Sequence, residues 1–181
     1  MSEMNAMKSE IIDMLVTLIP DAVKEIQVPI EDKVCYIALY RSDSHPLVGL
    51  IQLGIETRRN KMKDEAGIWG AWNSGDQPVK HQNDLNDELL KEKLKRLMEI
   101  YGESGGYEGE WYEAEWWIRC TEIMNEVSLK LNEYEWSSYF KNITDDFVVY
   151  VDREDLDVEN GDLELCVPQN KLKLLKGKGL V

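Results

Sequence analysis

Residues Asp146–Asp152 read DFVVYVD. Five apolar residues in a row, three of them β-branched valines, lie between aspartates, and no other stretch of the chain is so clearly a strand. Downstream, residues 152–164 are strongly acidic, with only Arg153 in opposition. Pro168–Lys176 then reads as a short helix with Pro168 as its first residue. Gly177 and Gly179 flank its end, and Lys171, Lys173, Lys176 and Lys178 make a basic tail.

Upstream of the strand, residues 112–132 carry Ala114, Trp117, Ile118, Thr121, Met124, Ser128 and Leu131 on one helical face. Gly105–Gly109 is a glycine-rich break before it. Leu85, Leu89, Leu94, Leu97, Met98 and Tyr101 mark another helix over 83–101, with Gly102 at the C-cap position. Gly67–Trp72, GIWGAW, is expected to be a strand, followed by the loop NSGDQP, and Arg58–Lys61 a polar segment before it. Lys33–Tyr40 and Leu47–Thr57 are strand candidates joined by RSDSHP, whose turn chemistry predicts a hairpin. Met4, Met7, Ile11, Met14, Leu15 and Leu18 predict an amphipathic helix over 4–19 ended by Pro20. Strands and helices in this order predict a single α+β domain over 1–181, with helices packed on a mostly antiparallel sheet.

The 181 residues hold 35 acidic and 21 basic side chains, a formal net charge of −14. Such a balance argues against nucleic acid as a ligand, because DNA and RNA binding relies on neutralising phosphates with Lys and Arg. It argues equally against an anionic membrane surface, and no apolar run reaches the ~18 residues of a membrane span. The charge either serves solubility or attracts a basic protein. Cys35, Cys120 and Cys166 are odd in number and form no CxxC, which speaks against a disulfide framework. With no signal-peptide pattern at MSEMNAMKSE, the expected location is the cytoplasm.

The densest chemistry is GGYEGEWYEAEWW, Gly105–Trp117, where Trp111, Trp116 and Trp117 alternate with Glu108, Glu110, Glu113 and Glu115. Helix phasing puts Trp117 in the core and Trp116 half exposed. The helix dipole accounts for part of the glutamate cluster, and Trp111 is left as an exposed anchor. Trp69 and Trp72 read as core strand residues running into an exposed loop, with Trp72 a candidate for exposure; Trp136 packs beneath the link from helix to strand. His45 and His81 lie in turn-like sequence without a partner at metal-ligand spacing. Asp155-Leu-Asp157-Val-Glu159 begins like a calcium loop, yet Asn160 and Cys166 stand where glycine and a bidentate glutamate are required. Gly105, Gly106 and Gly109 lack the phosphate-loop spacing, no GxSxG elbow occurs, and carboxylate pairs are too numerous to signal glycosidase chemistry. No cofactor or metal is expected, and no pattern names a reaction.

In the second half Asn132, Tyr134 and Trp136; Thr144–Tyr150; and Val167, Pro168, Lys171, Leu172, Leu175 and Gly179 stand in an order that resembles a family of uncharacterised bacterial proteins. The similarity spans roughly residues 110–181. Members of that group are often encoded beside polymorphic toxin genes, so the resemblance implies an immunity-type or other interaction role, and the acidic charge suits a basic partner toxin. No catalytic residues come with it. Charge and aromatic placement nominate Glu108, Glu110, Trp111, Glu113, Asp152, Glu154, Asp155 and Asp157 as partner contacts. The alternative is a small-molecule binder or enzyme with a cleft lined by Trp72, His81 and nearby carboxylates. The oligomeric state stays open.

Overall fold

A computed structural model describes residues 3–101, 114–154 and 156–181. The elements run α1 (Glu3–Lys24), β1 (Val34–Tyr40), β2 (Leu50–Ile55), α2 (Glu56–Trp72), β3 (Gln82–Asp84), α3 (Glu88–Tyr101), α4 (Glu115–Asn132), β4 (Ile143–Asp152) and α5 (Gln169–Gly177). The four strands form one sheet in the order β3-β2-β1-β4. β1 pairs antiparallel with β2, and β2 with β3, while β4 runs parallel to β1. The fold is α+β with a mostly antiparallel sheet.

The run DFVVYVD is the outer part of β4, and its apolar residues are buried on both faces of the sheet. Tyr36 of β1 is opposite Val148, and Ala38 opposite Tyr150. Alternation therefore sends Tyr36 and Tyr150 to one face and Ile37, Leu39 and Arg41 to the other. Arg41 identifies what covers that second face: its guanidinium donates to Thr121 Oγ1 at 2.6 Å and stacks 3.7 Å above the Trp117 ring, both on α4. α1 and α3 pack beside α4 in the same layer. On the tyrosine face lies the end of α2. Trp72 packs against Tyr36 and Tyr150 with ring centroids 5.8 and 5.1 Å away. Tyr36 lies flat over Gly54 of β2, where a Cβ would come within 2.3 Å of the ring.

β4 is an edge strand, and unpaired backbone groups at an edge invite foreign pairing. Here α4 closes it. The Asn132 amide donates to Val149 O at 2.7 Å and accepts from Val149 N–H at 3.0 Å. Ser128 donates to the same carbonyl. The C-terminal tail crosses to the tyrosine face, where Leu180 O accepts the Trp72 indole N–H at 2.7 Å. Arg59 of α2 and Asp146 of β4 form a buried pair at 2.8 Å, with Lys178 also beside Asp146.

Several expectations need correcting. The first helix does not stop at Pro20 but runs through it to Lys24, because Val23 beyond it continues the buried face of Leu15 and Ile19, which outweighs the lost hydrogen bond. GIWGAW is the end of α2 and not a strand, and Arg58–Lys61 lies in the same helix. Gly67 breaks that helix at φ +72° and ψ −157°, a conformation free of strain only for glycine. The remaining segment folds back until a Cβ at Gly70 would meet Met62 O at 2.4 Å. The strand expected there is supplied by Gln82–Asp84, and α3 begins at Glu88 instead of residue 83. Ile118 is 45% exposed; the buried face of α4 turns through Cys120, Ile123 and Val127 instead. Pro168 caps α5 in extended conformation just before its first residue.

Candidate functional site

The parallel strands β1 and β4 end side by side at Tyr40 and Asp152. Beyond those ends opens a cleft of about 310 Å³, in the place where open sheets commonly bind ligands. Leu50 and Gln52 of β2 line one side. The turn after α2 lines another through Asn73, Ser74, Gly75 and Gln77, and Arg153, Glu154, Leu156 and Val158 line a third. Trp69 and Val79 stand at the mouth, 59% and 75% exposed. On the far side of Trp69 a second, shallower hollow is bordered by Glu154, Asp157 and Glu159.

The walls are held firmly. Gln52 donates to His81 O at 3.0 Å, and Gln77 accepts from Ile55 N–H at 3.0 Å. Arg58 Nε donates to Asp76 O at 2.8 Å, while Asn73 accepts from Gly75 N–H and donates to Asp76. Trp72 is fixed at the floor by its bond to Leu180 O and by Tyr150, whose hydroxyl donates to Trp72 O at 2.6 Å. The rim is thus tied to the sheet by side chains that are themselves bonded, which favours a preformed site.

Asp152 is the chemically distinctive group. Its carboxyl is only 5% exposed and burial pushes it up to about 6, although Ser74 and the Arg153 backbone N–H pull it back down. The Arg153 N–H donates at 2.8 Å. The phenols around it stay protonated: burial, and then nearby acidic groups, raise Tyr36, Tyr150 and Tyr40. Arg153 lines the cleft with its guanidinium on Asp162 at 2.9 Å. A partly buried carboxyl with a shifted titration in a cleft is a frequent mark of a functional site.

The nominated residues are distributed unevenly. Asp152 and Glu154 line the cleft, and Asp157 borders the adjoining hollow. Asp152 is buried, so it is no exposed partner contact; it acts from inside the cleft or not at all. Glu108, Glu110, Trp111, Glu113 and Asp155 lie outside the described residues. Trp72 does line the cleft, but as its buried floor and not as an exposed ring. His81 does not join it. Its ring is 1% exposed, neither nitrogen has a hydrogen-bond partner, and only its backbone oxygen touches the wall through Gln52. Burial, then Lys80, lowers its pKa.

Sequence reasoning missed Trp69 as the exposed ring. The signal was present in Gly67 and Gly70, which bracket it and permit the fold-back. Asp157 is engaged by Asn160 through both its backbone and side-chain N–H groups, so this carboxylate is already bonded within the acidic loop. Among the described residues no group of three or more His, Cys, Asp or Glu is placed to hold a metal ion. None of the described helices is long and apolar enough to cross a membrane. All three cysteines are buried and free, and burial raises their thiols to about 12 at Cys35 and Cys120 and about 11 at Cys166.

Comparison of the chain with protein families, with curated proteins and with solved structures gives no match.

Proposed function

We propose that this chain acts by stoichiometric binding of a basic protein partner in the cytoplasm, as an immunity-type protein neutralising a toxin, and catalyses no reaction in doing so. The observation that carries this reading is the exposed Trp69 ring, which stands between the cleft, lined by Asp152 and Glu154, and a hollow bordered by Glu154, Asp157 and Glu159. An accessible tryptophan with carboxylates around it is a hot-spot anchor inside a charged rim. The net charge of −14 would steer a basic partner towards it and repel acidic competitors. Buried free thiols suit a reducing compartment.

The test uses the protein products of the genes that flank this chain's own. A Trp69→Ala, Glu154→Lys double variant should bind the partner among them at least ~30-fold more weakly by calorimetry, the loss of one hot spot. Unchanged affinity would remove this face from the interaction.

The second reading, a small-molecule binder or an enzyme, draws on a different observation. Asp152 at the bottom of a 310 Å³ cleft has the burial and shifted titration expected of a ligand-binding or proton-transferring carboxyl. A small-ligand thermal-shift screen that stabilises the parent and leaves Asp152→Asn unmoved would favour it.

A further inference from the structure

From the cleft's chemistry we infer that it is a receptor for a single cationic side chain, a lysine or arginine that the docked partner inserts past Trp69 towards Asp152. This rests on the proposed docking face and adds what that face recognises.

Volume comes first. At about 310 Å³ the cleft lies at the small end of ligand sites. It has room for one long side chain. The lining is graded from mouth to floor. Trp69 and Val79 at the mouth, with Leu50 and Leu156 beyond, offer apolar surface to a methylene stem. The carboxylates of Asp152 and Glu154 lie among them. An apolar stem ending in a cation is the shape of lysine and arginine, which bury their stems and keep the charged head on a polar partner.

Charge decides the sign. Among the described lining residues Arg153 is the one cation, and its guanidinium is bonded to Asp162. The other described ionisable groups besides the phenol of Tyr40, Asp152 and Glu154, are acidic. An anion would face two carboxylates and a guanidinium already paired with Asp162. A neutral group would leave the buried Asp152 carboxylate uncompensated, which is costly. Asp152 accepts from the Arg153 N–H, and Ser74 lowers its titration. A carboxylate has about four lone-pair sites, so acceptor capacity is left for an incoming ammonium or guanidinium. The exposed indole beside it adds a cation–π face.

The groups that face Asp152 are Tyr36 and Tyr40 from β1, Tyr150 from β4, Ser74 from the turn after α2, and Arg153 and Glu154 from the following segment. The phenols are all raised and stay neutral. Asp152 is therefore the group whose charge changes near pH 6, and cation affinity should fall as the pH is lowered through that value.

The experiment uses three probes on the full chain: Nα-acetyl-lysine N-methylamide, its arginine counterpart, and the norleucine counterpart, which keeps the stem and lacks the charge. Indole N–H signals are followed by NMR, with Trp69 assigned by loss of its peak in Trp69→Ala. Both cations should shift the Trp69 signal with dissociation constants of about 1 mM, as befits a single side chain. Norleucine should bind at least ~10-fold more weakly, a factor that one charge–charge contact readily supplies. Asp152→Asn should cost the cations a similar factor and abolish the pH dependence. Its fold is checked by circular dichroism, and Glu154→Gln on the rim gives a smaller loss independently.

Equal binding of norleucine, indifference to Asp152→Asn, or no Trp69 shift with either cation overturns the inference. The docking face is judged separately. If the partner protein is sensitive to Trp69→Ala and indifferent to Asp152→Asn, the face stands and the inserted cation falls. If the probes bind as expected and the partner ignores both variants, the cleft takes a free amine and the docking reading falls.

Discussion

Asp152 shows how one residue's environment sets its meaning. In sequence it is the last letter of DFVVYVD and the first of an acidic run; in the fold it is buried beside three tyrosines. Moving a carboxyl from its ordinary ~4 in the unfolded chain to about 6 corresponds to about 3 kcal/mol between its two protonation states. The folded state binds the extra proton between those values. The stabilising contribution is therefore complete below pH ~4 and is lost as the pH rises through about 6. At neutral pH the native protein carries a buried carboxylate at a cost. Asp152→Asn keeps the shape and an acceptor for the Arg153 N–H. Urea unfolding should show the variant more stable than the parent by about 1–3 kcal/mol at pH 7.5 and equal to it near pH 4. A variant less stable at both pH values would mean that Asp152 serves the fold and is not held in reserve for a ligand.

Secondary structure was legible where a pattern was long or strong. β4 announced itself through five adjacent apolar residues, and α4 through repeated helical spacing over eighteen residues. GIWGAW misled because six residues cannot separate a strand from a helix end, and the deciding fact was the positive φ at Gly67. β3 has only three polar residues, Gln82–Asp84, so hydrophobic periodicity had nothing to report. The parallel alignment of β4 with β1 depends on contacts over a hundred residues apart, which no local pattern encodes. For the same reason the cleft was half visible: Asp152, Glu154 and Trp72 were nominated as chemistry, but their burial and convergence came from that alignment and from the fold-back at Gly67. Asn132, noticed only as part of a resembling motif, proves to be the closure of the β4 edge. Asn132→Leu keeps the size of the side chain and leaves the Val149 N–H and C=O without its amide. With ~1–3 kcal/mol for a buried polar group left unpaired, and Ser128 still bonded to the carbonyl, urea denaturation should show a loss of about 1–3 kcal/mol. A loss below ~0.5 kcal/mol would show that water reaches the edge and takes the amide's place.

At the scale of the whole molecule the three layers leave one end of the sheet open, and charge decides what can approach it. α1, α3 and α4 cover one face, while α2 and the C-terminal tail are locked over the other through Arg59–Asp146 and Trp72–Leu180. The cleft at the ends of β1 and β4 remains accessible past Trp69. Screening limits the reach of surface charge to about 8 Å at physiological salt, so a net charge of −14 acts mainly on the rate of encounter. In the proposed complex the contacts made inside the cleft would act on its lifetime, because the exposed Trp69 ring would be desolvated only once docking is complete. These contributions are separable by stopped-flow kinetics with the neighbouring gene's product. Raising salt from ~20 to ~500 mM should slow association at least tenfold and change dissociation by less than ~3-fold. Trp69→Ala should do the reverse, speeding dissociation at least ~10-fold while leaving association nearly unchanged. Glu159→Gln, on the rim of the outer hollow, should affect only the salt-dependent step. If salt altered dissociation and left association untouched, the acidic surface would be part of the final contact instead of a guide to it, and the division of labour between surface charge and cleft would be wrong.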